Sequence, residues 1–226
     1  MLNNVQLNDK AGAKLFSALA AGLGKGDSGY EKIVSLSVAN NDLGKGSAAA
    51  LKQLLWVERA PCMLKSLDLS GNVSLDGYDA ALAIKRNESL TSVDLSHIPS
   101  ANTEEIYSFL GQFLLQDECQ CRLGLLSCDA FKVVIDQTEL VLQPPSEVDA
   151  GAAPDSPGSP GSPNGRSSSN RPGVMSLLAG VLKFNCSLTT VVLAGVGLDD
   201  ASGAFFATAL LENNCLLYTS PSPRDS

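Results

Sequence analysis

The sequence is poor in the side chains that carry most enzyme chemistry. It contains one histidine, His97, and a Ser-His-Asp triad would need this residue as its base, with Asp94 and Asp68 as candidate neighbours. No Gly-x-Ser-x-Gly turn or other oxyanion-binding motif accompanies it. A Gly-x-x-x-x-Gly-Lys-Ser/Thr phosphate-binding segment is also missing. The sequence therefore predicts a protein that is not an enzyme and has no nucleotide site.

Basic residues and long apolar runs are also scarce. The chain has 16 lysines and arginines against 24 acidic residues, a formal net charge of −8, with a pI near 4.6. This excess of negative charge argues against unaided binding to nucleic acid or anionic membranes, and it favours a protein partner with a basic surface. No apolar run approaches the roughly eighteen residues of a membrane span, and no signal peptide is recognisable. We therefore expect a soluble, cytoplasmic protein.

Cysteine is sparse and poorly spaced for metal binding. The six cysteines are scattered, and only Cys119, Cys121 and Cys128 lie close together in the chain. A structural zinc site needs a further cysteine pair or histidines beyond the first pair, and this spacing does not fit. We predict reduced thiols, no metal and no cofactor.

What the sequence does contain is internal repetition. Residues 85–95 (KRNESLTSVDL) return as residues 183–193 (KFNCSLTTVVL). In both copies a polar asparagine ends a predicted helix, and a short strand with apolar residues at spacings of three and two follows. Two further copies show the same spacing, and they consist of Ile33, Leu36, Val38, Asn41 and Leu43, and of Leu64, Leu67, Leu69 and Asn72. Such repetition is typical of a stacked array in which each unit contacts only its neighbours.

The pattern Leu-x-x-Leu-x-Leu-x-x-Asn-x-Leu, followed by a glycine and an alanine-rich helix, resembles the ribonuclease-inhibitor class of leucine-rich repeats. The resemblance covers residues 1–128 and 174–214. It implies an α/β solenoid that is curved, with short parallel strands inside and helices outside. Two departures are specific. Ser74 stands at a leucine position with Leu75 one place late, which predicts a bulged turn, and Ile98 and Val196 stand at asparagine positions, which predicts an incomplete asparagine ladder.

Apolar periodicity places the elements. Helices are predicted at 10–23, 46–58, 77–87, 103–117, 174–185 and 200–213, and strands at 33–38, 64–69, 90–95, 123–128 and 188–193. Asn102 is the expected N-cap of the helix at 103–117, with Glu105 three residues on. Residues 129–143 are predicted to form an irregular extended segment, because Phe131, Val133 and Ile135 alternate with other residues.

Residues 144–173 are rich in proline, glycine and serine. They contain too few large apolar side chains to offset the entropy of ordering the chain, so we predict a disordered insertion. Ser156, Ser159 and Ser162 each precede a proline and are candidate phosphorylation sites for proline-directed kinases. A passive linker would have the same composition.

Both ends of the sequence resemble cut ends. Residues 2–23 are typical of the turn and helix of a repeat whose strand is missing. Residues 215–226 resemble the translation of a transposase adaptor used in sequencing libraries, and we expect this tail to play no part in the fold. Since terminal repeats normally cover the open ends of such an array, we expect a fragment that is incomplete at both ends.

Polar residues alternate with the buried positions of two predicted strands. If Leu67 and Leu69 point inward, Ser66, Asp68 and Ser70 point outward, and the same alternation places Ser92, Asp94 and Ser96 on that face. These six residues are the candidate partner-binding strip, and Ser35 and Ser37 extend it. A merely solvated sheet face would show the same alternation.

We therefore predict a non-catalytic scaffold that binds a protein partner through the concave face, without nucleic acid or membrane binding. The family resemblance implies three sharper alternatives. They are a regulator of the Ran GTPase-activating-protein type, the recognition array of a nucleotide-binding sensor, and a capping-protein regulator of actin. The loop-edge arginine and asparagine residues that a Ran-type activator would present do not map onto this chain.

Overall fold

The computed structural model describes residues 1–24, 33–56, 63–142 and 171–213. Within these ranges helices and short strands alternate, so the predicted α/β class is confirmed, with each element within a few residues of its expected bounds. The helices are α1 (Asp9–Gly24), α2 (Lys45–Leu55), α3 (Gly77–Lys85), α4 (Glu104–Leu115), α5 (Pro172–Phe184) and α6 (Asp200–Glu212). The strands are β1 (Ser35–Ser37), β2 (Ser66–Asp68), β3 (Ser92–Asp94), β4 (Leu125–Ser127), β5 (Lys132–Val133), β6 (Glu139–Val141) and β7 (Thr190–Val192).

Strands β1 to β4 run parallel and side by side, and β5 completes this sheet antiparallel to β4. Leu36, Leu67, Val93 and Leu126 are direct neighbours across the four parallel strands, and all four are buried. Because side chains alternate across a strand, the residues flanking this apolar row face the opposite surface. Each helix packs against the next one along the chain, from α1 to α6.

The last strand does not extend this sheet. β7 pairs with β6 in a separate two-stranded parallel sheet, with Leu140 opposite Val191. The segment after β4 therefore supplies the partner strand for the last unit. Sequence periodicity alone did not indicate this pairing, because β6 and β7 are far apart in the chain.

Residues 129–142 form β5 and β6 where extended strands were expected. Phe131 and Val133 are buried, as their alternation predicts. Ile135 departs from the pattern, since its side chain is 73% exposed. The chain turns at Asp136, whose φ is 62°, and this turn carries Ile135 away from the core.

The late leucine of the second repeat still reaches the core. Gly71 has a φ of 71° in the turn after β2, and Val73 is 64% exposed. Leu75 is buried, and its N–H donates to the Asn72 carbonyl at 3.1 Å. The turn therefore takes up the additional residue.

The predicted N-cap of α4 is wrong by one residue. Thr103 is the N-cap, and its side chain accepts the N–H of Ile106. Asn102 instead turns toward the end of β3, where its amide donates to the carbonyls of Leu95 and Ile98, at 2.8 Å each. A side chain with two donors satisfies two carbonyls there, whereas a threonine hydroxyl suffices for the cap.

In the third unit, Asn102 restores an asparagine contact that the sequence predicted to be missing there. Asn41 and Asn72 each donate to the carbonyl three residues earlier, at 2.8 and 2.7 Å. Ile98 stands at the matching position of the third unit and is fully buried. Asn102 reaches the equivalent carbonyl of Leu95 from seven residues away. The asparagine function is therefore present in this unit, at a shifted position.

A second set of asparagines closes the helix ends. Asn87 accepts the N–H groups of Ser89 and Leu90 at 2.8 and 2.7 Å, and it donates to the Leu55 carbonyl of the preceding unit at 3.1 Å. Asn185 accepts the N–H groups of Ser187 and Leu188 at 3.0 and 2.8 Å, and it donates to the Gly124 carbonyl just before β4 at 2.8 Å. Both side chains are buried. They join each helix end to the following strand and to the neighbouring unit.

The start of α2 is capped by a residue of the preceding unit. Gly44 occupies the N-cap position of α2 and offers no side chain. The Asp9 carboxylate accepts the N–H groups of Gly44, Gly46 and Ser47 at 3.0, 3.0 and 2.6 Å. Burial acts to raise the pKa of Asp9, but these hydrogen bonds outweigh it and hold the pKa below its ordinary value of 3.8. Asp9 therefore fixes the register between α1 and α2.

Helix α5 begins at Pro172, so the predicted insertion at 144–173 reaches two residues too far. Proline suits the first turn of a helix, where its missing N–H removes no intrahelical bond. The remainder of the predicted insertion, with Ser156, Ser159 and Ser162, lies outside the described residues. The predicted adaptor-derived tail at 215–226 also lies outside them.

Candidate functional site

The six residues of the predicted strip lie on one surface of the five-stranded sheet. Ser66 of β2 is the direct partner of Ser92 of β3, and Asp68 is the partner of Asp94. Ser70 and Ser96 follow the two strands at equivalent places, and all six side chains are partly exposed. Neighbouring strands lie about 4.8 Å apart, so the two aspartates are adjacent. We call these six residues the polar strip.

The row of the two aspartates continues onto both neighbouring strands, but Ser37 and Ser127 are buried there, so the predicted exposure of Ser37 is wrong. The row that contains the aspartates runs from Ser37 through Asp68, Asp94 and Ser127 to Lys132. Lys132 is two strand spacings from Asp94, or about 10 Å, and it forms no ion pair with any described residue. Across the sheet the row therefore consists of a hydroxyl, two carboxylates, a second hydroxyl and an ammonium group.

The Asp68 carboxylate has polar neighbours at both of its oxygens. One oxygen lies 2.7 Å from the Ser37 hydroxyl, whose single hydrogen is shared with the Asn3 side-chain oxygen at 2.5 Å. The other accepts both the hydroxyl and the N–H of Ser70, at 2.7 and 3.1 Å. A carboxylate with three such partners already has most of its acceptor capacity filled. Asp68 therefore contributes to the shape of the strip and offers little to a ligand.

Asp94 differs from Asp68 although the two are equivalent in sequence. One oxygen accepts the N–H of Ser96 at 2.9 Å, and the other accepts no hydrogen bond from the described residues. Asp68 has Ser37 beside it on the preceding strand. The residue at that place beside Asp94 is Asp68, which has no donor, and Ser127 on the other side makes no bond to Asp94. This carboxylate oxygen of Asp94 is therefore left to solvent by the described residues.

Part of the strip lies on the floor of an open groove with a volume of about 450 Å³. Ser66, Asp68, Ser92 and Asp94 lie on the floor, and Leu125 of β4 adds an apolar surface. Volumes of roughly 300–1,000 Å³ are typical of ligand sites. An open groove on a sheet face is a shape that accommodates an extended chain.

One wall of the groove comes from residues that sequence reasoning did not assign to the site. These are Lys132 of β5 and the two residues that follow β5, Val134 and Ile135. Leu125 flanks the buried Leu126, whereas the alternation of Phe131, Val133 and Ile135 predicted a buried Ile135. The contribution of this segment to the groove was not recognisable without knowing that β5 folds back beside β4.

His97 lies apart from the predicted acidic neighbours. Its φ is 60°, its N–H donates to the Asp129 carboxylate at 2.7 Å, and its Nδ1 lies 3.7 Å from the same oxygen. The side chain is 82% exposed. The acid that contacts His97 is therefore Asp129, and neither Asp68 nor Asp94 contacts it.

The three clustered cysteines are free thiols, whereas Cys186 is disulfide-bonded, so the prediction of reduced thiols is wrong for that residue. Cys121 and Cys128 are buried and Cys119 is partly buried. Burial raises the pKa of all three thiols, and that of Cys121 to about 12. The described residues contain no group of three or more side chains placed to hold a metal ion.

No helix in the described part of the chain is both long and apolar enough to cross a membrane. Comparison with known proteins finds no matching family model and no matching curated protein. Sixteen chains of solved structures match. Among them is the Leiomodin-1 Actin-Binding Site 2, with 15% identity, 88% of this chain and 89% of that chain covered, and a TM-score of 0.40.

Proposed function

We propose that this chain is a leucine-rich-repeat solenoid of the ribonuclease-inhibitor-like class, and that it binds a protein partner through the concave strand face without catalysis. The in-register acidic row across β2 and β3 carries this proposal. The concave strand face carries serine and aspartate at equivalent positions of β2 and β3, so it presents a continuous polar surface. Open curved arrays of this kind commonly bind protein partners on that side.

The repeated hydrogen bonds support the solenoid. Asn41, Asn72 and Asn102 each satisfy a carbonyl at a strand end, and Asn87 and Asn185 each join a helix end to the preceding unit. A single-core domain has no reason to repeat one contact at successive strands. Nearest-neighbour stacking requires such repetition.

The charge supports a basic protein as the partner. The net charge is −8, and the groove floor carries two aspartates against one lysine at its edge. This potential opposes phosphate-rich ligands and attracts cationic surfaces. The alternatives of a Ran-type GTPase-activating regulator, a nucleotide-binding sensor array and an actin-capping regulator each use the same fold, and no observed contact favours one of them.

Site-specific photo-crosslinking tests the proposed face. A benzophenone amino acid is placed at Ser92 on the groove floor, and in a matched protein at Glu105, an exposed residue of α4. Both proteins are irradiated in an extract, and the crosslinked peptides are identified by mass spectrometry. We expect protein adducts at position 92 that disappear in the Asp68→Asn/Asp94→Asn background. Adducts at position 105 alone would move the interface to the helices.

A further inference from the structure

We propose that the groove selects an extended protein segment in which a lysine or arginine lies beside an apolar residue, with Asp94 binding the cation and Ile135 contacting the apolar side chain. This inference rests on the proposed function and specifies the chemistry of the partner. It makes the two aspartates unequal, although their positions in the repeat are the same.

The inequality follows from the hydrogen bonds of each carboxylate. A cation that approached Asp68 would compete with the Ser37 and Ser70 hydroxyls, both at 2.7 Å. Asp94 keeps an oxygen with no donor among the described residues and has only the Ser96 N–H on the other. A charge-assisted bond to that oxygen displaces water alone. The cation of the segment therefore binds at Asp94.

The groove wall supplies the apolar half of the site. Ile135 is 73% exposed, and it lines the groove beside the partly buried Val134. A large apolar side chain left in water at the rim of a polar groove gains free energy when a partner covers it. The floor and this wall together favour a segment with one charged and one apolar contact.

Lys132 determines which end of the groove receives the cation. It is the last residue of the row that begins at Ser37, and Ser127 separates it from Asp94. The positive charge of Lys132 repels any other cation within about 10 Å, which is close to the screening length at physiological salt. A bound segment therefore keeps its cation on the β3 side and away from β5.

Selection from a displayed library of random peptides tests these preferences with the full chain as bait. Peptides of about twelve residues span roughly 40 Å when extended, more than the width of the sheet. We expect the enriched peptides to share a lysine or arginine at a fixed distance from an apolar residue. Enrichment of acidic or uncharged peptides, or no enrichment above an unrelated bait, would overturn the proposal.

The highest-ranked peptide is then synthesised, and its affinity is measured by fluorescence anisotropy. Asp94→Asn should weaken binding about tenfold, because a charge-assisted contact is lost, and Ile135→Ser about fivefold. Lys132→Gln should strengthen binding about twofold, because it removes a screened repulsion. The last change has the opposite sign, so loss of folding cannot imitate it.

Two exposed residues away from the groove provide matched controls. Glu105→Gln removes the same charge as Asp94→Asn, and Lys10→Gln removes the same charge as Lys132→Gln. Neither control should change the affinity by more than about 1.5-fold, since only long-range charge is altered. Equal effects of Asp94→Asn and Glu105→Gln would refute the site. That result would leave crosslinking at Ser92 unaffected. The crosslinking experiment therefore tests the binding face, and the peptide affinities test the specificity independently.

Discussion

Replacement of Asp9 is the sharpest test of how the units are joined. The N-cap of helix α2 is a glycine, and the N–H groups at the start of the helix are satisfied by a carboxylate of the preceding helix. Asp9→Ala removes this cap without touching the interior of α2. The variant should therefore lose stability through the contact between α1 and α2.

The size of the loss follows from the geometry. Removal of a side-chain cap costs about 1 kcal/mol, and an acid near a helix N-terminus adds roughly 0.3–1 kcal/mol. We expect Asp9→Ala to lower the free energy of unfolding by about 1–2 kcal/mol. Asp9→Asn retains an acceptor oxygen and loses the charge, so it should cost about half as much.

The pH dependence separates charge from packing. The folded-state pKa of Asp9 lies below its ordinary value of 3.8, so the ionised carboxylate stabilises the folded state above the unfolded-state pKa. This contribution is lost as the pH falls through the folded-state pKa. The difference between the wild type and Asp9→Asn should be constant down to about pH 5, and it should shrink below about pH 4.

Urea unfolding followed by circular dichroism measures these differences at several pH values between neutral and strongly acidic. Asp117→Asn, an exposed acid just after α4, is the charge-matched control and should stay within about 0.5 kcal/mol of the wild type. If the free energy of unfolding of Asp9→Ala equals that of the wild type, the capping role is refuted. A difference between wild type and Asp9→Asn that persists unchanged in acid would show that charge is not its cause.

Three other changes probe the packing. Asn185→Ala should cost about 2–3 kcal/mol in urea unfolding, because buried N–H groups lose their acceptor; a loss under about 0.5 kcal/mol would contradict this. Gly111→Val should lower the free energy of unfolding by about 1–3 kcal/mol, because a Cβ there would lie 2.3 Å from the Leu177 nitrogen. Gly203→Ala is the control: its Cβ meets nothing within 4 Å, so the change should be neutral or mildly stabilising. Cys121, with its pKa raised to about 12, should react with iodoacetamide at pH 8 on the order of a thousandfold slower in the native protein than in urea, and equal labelling would disprove its burial.

Much of the architecture was predictable from local patterns. The spacing of Leu64, Leu67 and Leu69 and its recurrence along the chain indicated short strands followed by helices, and the structure has them there. Such patterns are reliable because side-chain direction depends only on the local backbone. The same alternation predicted Asp68 and Asp94 on one face, and the two are register partners in β2 and β3.

Contacts between distant residues were not predictable in this way. The pairing of β6 with β7, the turn that brings Ile135 to the groove, and the reach of Asn102 to Leu95 each depend on how separate segments meet. The capping of α2 by Asp9 has the same character. None of these contacts leaves a periodic signal, because each occurs once.

The two aspartates show the division most clearly. The sequence by itself determined that Asp68 and Asp94 occupy equivalent, outward-facing positions in successive strands, because the period of a strand is two. Only the tertiary structure decided that Ser37 and Ser70 fill the oxygens of Asp68, while one oxygen of Asp94 stays open. Hydrogen bonding is directional and short in range, so the availability of a carboxylate depends on which neighbours the fold brings within about 3 Å.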